Sequence, residues 1–252
     1  MVKNFLIDNN GRMELDFDAT EELLSKDTKM LFFCNPHNPG GTVFNKEEIT
    51  TLVEICEKHN ITICSDEIHC DLILQDDLEH FHLASLNEYA KQNSITILGP
   101  CKTFNLAGFP LAASIIPNNE LREDFIQNTK GIVSHIDNLA FVASTAAYKY
   151  AGEWHKELIE YLQENKKILI EGLNKIDGLS LSGPEAGFLA WVDCRKTGLD
   201  TPGDFFINHA GVGVYDGSWF GREGYIRLNF GCPRSVLEES IERIQKAFSQ
   251  RN

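Results

Sequence analysis

The stretch SITILGPCKTFNLAGFP, residues 94–110, runs six residues of strand-like character straight into a small-residue turn that holds one lysine. Lys102 has no charged residue within seven positions on either side. An isolated lysine is a surface residue by default, because an unpaired ammonium is almost never buried. A lone ammonium at the end of an apolar run therefore asks for another account.

Reading outward, the run 94–99 has the length and bounding turn of a buried strand. Three more runs share that character: KMLFFC (29–34), bounded by the turn-rich NPHNPGG, then ITICS (61–65) and LAASII (111–116). Between the first two, a helix is predicted over about 46–59. Asn45 serves as its cap with Glu48 three residues on, and Ile49, Leu52, Val53 and Cys56 fall on one face. Strand–helix–strand order with continuously apolar strands predicts an α/β fold, its mostly parallel sheet covered on both faces. The strand at 111–116 is free to be antiparallel, since no clear helix precedes it. Residues 119–176 read as mostly helical. Strands near 187–193 and 224–230, with helices near 202–210 and 234–249, make the remainder α+β. A domain change is placed near residue 150, giving 1–150 and 151–252. No internal repeat or low-complexity segment is found.

Composition narrows the function. Of 252 residues, 42% are hydrophobic and 24% charged, ordinary for a globular chain, and the net charge is −14 at pH 7. A phosphate-backbone binder needs a basic face, so neither nucleic acid nor an anionic membrane is expected as a partner. Seven scattered cysteines without a CxxC motif suggest reduced thiols of a cytoplasmic protein. The start carries no signal-peptide pattern, and no apolar run approaches the roughly 18 residues of a membrane span.

Ligands of open parallel sheets sit beyond the carboxyl ends of the strands. There the sequence places Asn35, His37 and Asn38 after the first strand, Asp66 and His69 after the second, and Lys102 after the third. A lysine amine in a low-dielectric pocket attacks aldehydes, and a carboxylate pairs with a protonated pyridine nitrogen. Together they are what a protein ordinarily supplies to pyridoxal 5'-phosphate. Other readings stand beside this one: Asp66 as a helix cap, Asn38 as an Asx turn, and Arg227 as one of three equal arginines with Arg222 and Arg234. The group Asp66, Glu67, His69 and Asp71, with His80 and His82 nearby, resembles a metal set. On a strand-to-loop segment those side chains should diverge, so no metal is expected and Glu67 is read as structural. The tryptophans are read as core or interface filling.

The motifs NPHNPGGTVF, SDEIHCDL, CKTFNLAG and IRLNFGCPR, in this order, resemble those of fold-type I pyridoxal-phosphate enzymes, the aspartate aminotransferase superfamily. The likeness is strongest to its cystathionine β-lyase-like branch of C–S lyases, and it covers nearly the whole chain from about residue 10. It implies that Lys102 bonds the cofactor aldehyde and later moves the Cα proton. Asp66 would pair with the pyridine nitrogen, and Asn38 would donate to the phenolic oxygen. His69 stands where many aminotransferases place a tyrosine, and Arg227 would bind the substrate α-carboxylate. Gly99 and Pro110 stand where the family usually has a phosphate-binding serine and a basic residue, and Cys101 replaces a frequent serine. The resemblance also implies a substantial N-terminal part before the point where this chain begins, carrying strands, a phosphate-capping turn and a ring-stacking aromatic. The expectation is thus the C-terminal portion of the pyridoxal-phosphate transferase fold: a partial large domain plus a small α+β domain. Its expected function is a β-eliminating C–S lyase acting on a small amino acid as a homodimer. An aminotransferase is the near alternative, and a non-catalytic, self-associating fragment the alternative of another class.

Overall fold

The computed structural model describes residues 6–251. The chain opens with a hairpin of β1 (Leu6–Asn9) and β2 (Arg12–Leu15). Asn10 and Gly11 turn it with φ of 52° and 91°, the left-handed pair that a two-residue hairpin turn requires and Asn-Gly supplies. Helix α1 (Phe17–Leu23) follows, capped by Asp16, whose carboxylate accepts the Ala19 N–H at 2.9 Å. Neither element is among the sequence expectations.

The central sheet is as the apolar runs predict. β3 (Met30–Cys34), β4 (Thr62–Asp66) and β5 (Ser94–Leu98) are parallel neighbours, and β6 (Ala113–Ile115) pairs antiparallel with β5. Cys34 lies opposite Asp66 and Asp66 opposite Ile97, so three carboxyl ends finish in register at one edge. Helix α2 (Lys46–Lys58) makes the first crossover. Asn45 Oδ1 accepts the Glu48 N–H at 2.9 Å and Glu48 Oε2 accepts the Asn45 N–H at 2.8 Å, a complete capping box. Ile49, Leu52, Val53 and Cys56 are all buried, the face that the periodicity assigns to the core. The short α3 (Glu88–Gln92) leads into β5.

Helices α4 (Asn119–Thr129), α5 (Asn138–Tyr150) and α6 (Gly152–Leu173) fill the middle of the chain. A second, antiparallel sheet follows in the order β7 (Leu189–Asp193), β9 (Tyr225–Asn229), β8 (Tyr215–Asp216). Helix α7 (Pro202–Asn208) and α8 (Arg234–Ser249) complete it. α8 packs on α6 so closely that a Cβ at Gly172 would come 2.6 Å from Ile241 Cγ2, which explains a glycine in the last turn of a long helix.

Two hydrophobic cores result, each borrowing from the other half of the chain. The first gathers Leu31, Phe33, Phe44, Leu52 and Ile63, but also Trp191 and Tyr225, whose rings stack at 5.2 Å. The second gathers Leu162, Leu169, Val192, Ile226 and Phe230, but also Leu72 and Leu74. Trp191 is thus core, whereas Trp154 and Trp219 are exposed. Arg12 stitches the halves together: its Nη atoms donate to Glu48 at 3.0 and 3.1 Å and its Nε to Glu185 at 2.9 Å. All seven cysteines are free thiols. Among the described residues no helix is long and apolar enough to cross a membrane. Apolar surface remains at Ile132, Val133, Leu139, Phe141 and Val142, all well exposed around the start of α5.

Candidate active site

The aligned ends of β3, β4 and β5 bring Asn38, Asp66 and Lys102 to one edge. β9 approaches that edge with Arg227, and the turn after β4 adds His69. Asn38, His69, Lys102, Tyr215, Arg227 and Asn229 line a single cavity of about 270 Å³. Asp66 is not among the residues lining the cavity, but the Lys102 charge acts on it.

The polar groups here are under-partnered in a consistent way. The Asp66 carboxylate accepts one long hydrogen bond, from the Ile68 N–H at 3.3 Å. Burial pushes its carboxyl above the usual range, and that hydrogen bond and the Lys102 charge only partly oppose the shift. His69 is 4% exposed, and neither ring nitrogen has a hydrogen-bond partner among the described residues. Burial, assisted by Lys102 and Arg227, pulls its imidazole down to about 4, so it is neutral at pH 7 with one N–H to offer. Arg227 Nη1 donates to Asn38 Oδ1 at 3.1 Å, while its Nε is buried without a partner among the described residues. Tyr215 and Phe220 flank the guanidinium at 4.5 and 4.6 Å. Because Asn38 Oδ1 is committed to Arg227, the amide's remaining capacity is that of an N–H donor.

A pyridine-ring cofactor matches this donor set: an amine for an aldehyde, a half-buried carboxylate short of a cation, and two neutral donors for a phenolic oxygen. The phosphate side is poorer. A Cβ at Gly99 would stand 2.8 Å from the Leu111 carbonyl oxygen, so the close return of the chain into β6 leaves no room for the serine usual in the family. Thr103, beside Lys102, has its hydroxyl buried without a partner among the described residues.

The other sequence candidates stand elsewhere. Arg222 donates to the Leu6 carbonyl, and Arg234 Nε donates to Asn165 at 3.3 Å. His37 accepts the Gly40 N–H at 3.2 Å, and burial pulls it down to about 4. Glu67 turns away from Asp66 toward His80 and His82, which His69 does not join. Tyr215, Phe220 and Asn229 were not expected at the site. Asn229 carried a usable signal, since it lies two residues beyond Arg227 on the same face of one strand. Tyr215 carried none in its own sequence, because it reaches Arg227 only as a cross-strand partner.

The sequence and the fold also match known proteins. The class I and II aminotransferase family matches residues 2–244. Cystathionine beta-lyase PatB of Bacillus subtilis (strain 168) is 33% identical over 99% of this chain and 66% of its own length. The crystal structure of a protein named OvoB superposes with a TM-score of 0.94 at 41% identity, over 97% of this chain and 64% of that one. Cystalysin from Treponema denticola, which contains a pyridoxal 5'-phosphate cofactor, gives 0.93 at 32% identity over 98% of this chain and 64% of its own. The chain thus spans about two thirds of the length of these relatives.

Proposed function

The chain belongs to the aminotransferase class I and II family, and we propose on that premise that it binds pyridoxal 5'-phosphate and serves a β-eliminating carbon–sulfur lyase of amino-acid metabolism. The observation that carries the reading is the single cavity onto which Asn38, His69, Lys102 and Arg227 converge, with Asp66 close enough for the Lys102 charge to act on it. Bound there, the cofactor supplies an aldehyde for amino groups and an electron-withdrawing ring for negative charge at Cα. Asp66 would hold the proton of the pyridine nitrogen, and Asn38 and His69 would donate to the phenolic oxygen. Arg227 would take the substrate carboxylate on the donors that Asn38 leaves free, held flat by Tyr215 and Phe220. Lys102 would bond the aldehyde carbon at rest and, once released, take the proton from the substrate Cα. That proton would pass from Lys102 to the sulfur as the C–S bond at Cβ breaks, so that a thiol leaves, and water would release the remaining three-carbon unit as pyruvate and ammonia. A cystathionine- or cysteine-like amino acid is the substrate class, a reading supported by relatives named cystathionine beta-lyase or C-S lyase.

The same residues serve an aminotransferase, which returns the proton to the cofactor instead. Product analysis separates the two: pyruvate released without an added keto acid supports the lyase, and a strict need for one overturns it. Added pyridoxal phosphate should give visible absorbance that Lys102→Ala removes; no absorbance in the parent chain supports a non-catalytic fragment. The division into a cofactor-binding part (1–150) and a small C-terminal part (151–252), and a cytoplasmic homodimer, belong to the same proposal. The exposed Ile132, Val133, Leu139, Phe141 and Val142 support self-association. Light scattering after size exclusion tests it, with Phe141→Glu expected to give the monomer.

A further inference from the structure

Glu67, immediately after β4, faces away from Asp66 and meets the returning segment that carries His80 and His82. Its Oε2 lies 2.9 Å from His80 Nε2 and 2.6 Å from His82 Nδ1, and the three ligand atoms all fall within 4.8 Å of one another. Its Oε1 accepts the Ser65 hydroxyl at 2.8 Å and the Leu83 N–H at 3.1 Å, which fixes the carboxylate and presents Oε2 to both rings. The two imidazoles stand edge-on, at 78° with centroids 4.8 Å apart, so their nitrogens approach Oε2 from different directions. From this convergence we infer that Glu67, His80 and His82 form a binding site for a divalent transition-metal ion of the zinc class. The fourth position opens to solvent on the His82 side, where the side chain is 52% exposed.

The chemistry fits. Zinc takes imidazole nitrogen and carboxylate oxygen at about 2.0–2.2 Å in a tetrahedron, which spaces its ligand atoms by roughly 3.3 Å. The two contacts to Oε2 must open by less than about 1 Å and the two nitrogens must close by up to about 1.5 Å, a movement the half-exposed His82 can share with His80. Without an ion, each ring donates an N–H to Oε2. With one, each ring offers that nitrogen's lone pair and carries its proton on the other nitrogen. For His82 that second N–H faces water. For His80 it is Nδ1, which is buried without a partner among the described residues. A ligating histidine normally passes this N–H to an acceptor, and lacking one weakens binding about 10–100-fold. The site is therefore one of micromolar rather than nanomolar affinity. None of this rests on the lyase reading.

The test uses the full chain, stripped of metal with a chelator and titrated with Zn²⁺ by calorimetry and against a colorimetric competitor. About one ion per chain and a melting temperature that climbs with Zn²⁺ are expected. His82→Ala, at a half-exposed position, should keep the fold by circular dichroism and weaken binding at least tenfold, and His80→Gln should do the same. Binding that neither variant weakens tenfold assigns the ion to the free cysteines and overturns the proposal. So does no binding up to about 100-fold above the micromolar range.

Discussion

Asp66 and Glu67 are consecutive carboxylates at the end of one strand, and the fold treats them in opposite ways. Glu67 receives donors from Ser65, His80, His82 and the Leu83 backbone. Burial alone would raise its carboxyl, yet those hydrogen bonds outweigh burial and hold it below its ordinary range. Asp66 is half-buried and receives one long hydrogen bond, and it ends above its ordinary range. A strand's alternation sends one carboxylate to each side of the sheet. Glu67 is already hydrogen-bonded within the fold, whereas Asp66 stands on the Lys102 side, where a cationic ring would supply what is missing. Buried polar groups are ordinarily paired, so the deficit at Asp66, His69 and Arg227 marks the face built for a ligand.

The largest effect expected from this contrast lies on the unfinished side. Lys102→Ala should lower β-elimination by about 10⁴-fold, the upper end of what a positioned proton-transfer group contributes. Its unfolding free energy should stay close to that of the parent, because Lys102 makes no ion pair among the described residues. Pyruvate release by the variant, compared with urea melts of both chains, checks this. A loss of stability matching the loss of activity would erase the distinction between the two sides.

On the finished side the pattern reverses. Glu67→Ala strands four donors, two of them imidazoles, and removing one partner of a buried charged network costs about 3–5 kcal/mol. Thermal melting should fall by roughly 10 °C at 2–4 °C per kcal/mol for a chain of this size.

The histidines add a pH dependence with a definite sign. His37 and His69 are held neutral in the fold, each pulled by burial from 6.5 to about 4. The unfolded chain binds those two protons first as pH falls, so stability is present above pH 6.5 and drains between 6.5 and 4. Each contributes about 3 kcal/mol to the loss once pH reaches 4. Urea melts at stepped pH should show His69→Asn losing roughly half of that slope, and an unchanged slope would reassign it.

Much of this was legible in residue order, and the exceptions have physical causes. Apolar runs ending in turns disclosed β3, β4 and β5, and alternating polar termini disclosed Asn38, Asp66 and Lys102. The hairpin at Asn10–Gly11 carried a readable turn signal, but its strands are too short for alternation to stand out. Tyr215 and Phe220 reach Arg227 through sheet register and a following turn, which no spacing along the chain encodes. The Glu67 cluster was missed because Asp66 and Glu67 diverge as strand geometry requires, while His80 and His82 return to meet Glu67 after an excursion through the second core by Leu72 and Leu74. Gly99 reads in sequence as a lost phosphate ligand, and the contact with Leu111 gives its reason.

The smallest expected change discriminates best between the two carboxylates. With its carboxyl raised by burial, Asp66 binds its proton more tightly in the fold than in the unfolded chain. Ionising it therefore costs stability, and that cost grows as pH rises through the raised value. Asp66→Asn removes the charge while keeping the shape, so the ligand-free variant should be more stable than the parent at pH 7. The gain should vanish below the ordinary carboxylate range, where both chains are neutral at this position. The same variant should bind pyridoxal phosphate about 100-fold more weakly, since a charge-assisted hydrogen bond and its Coulomb partner are both lost. A stabilised fold with weakened cofactor binding is what an unfinished functional carboxylate produces. A destabilised Asp66→Asn would instead make Asp66 a structural group like Glu67, and the asymmetry between the two faces of β4 would no longer point to a site.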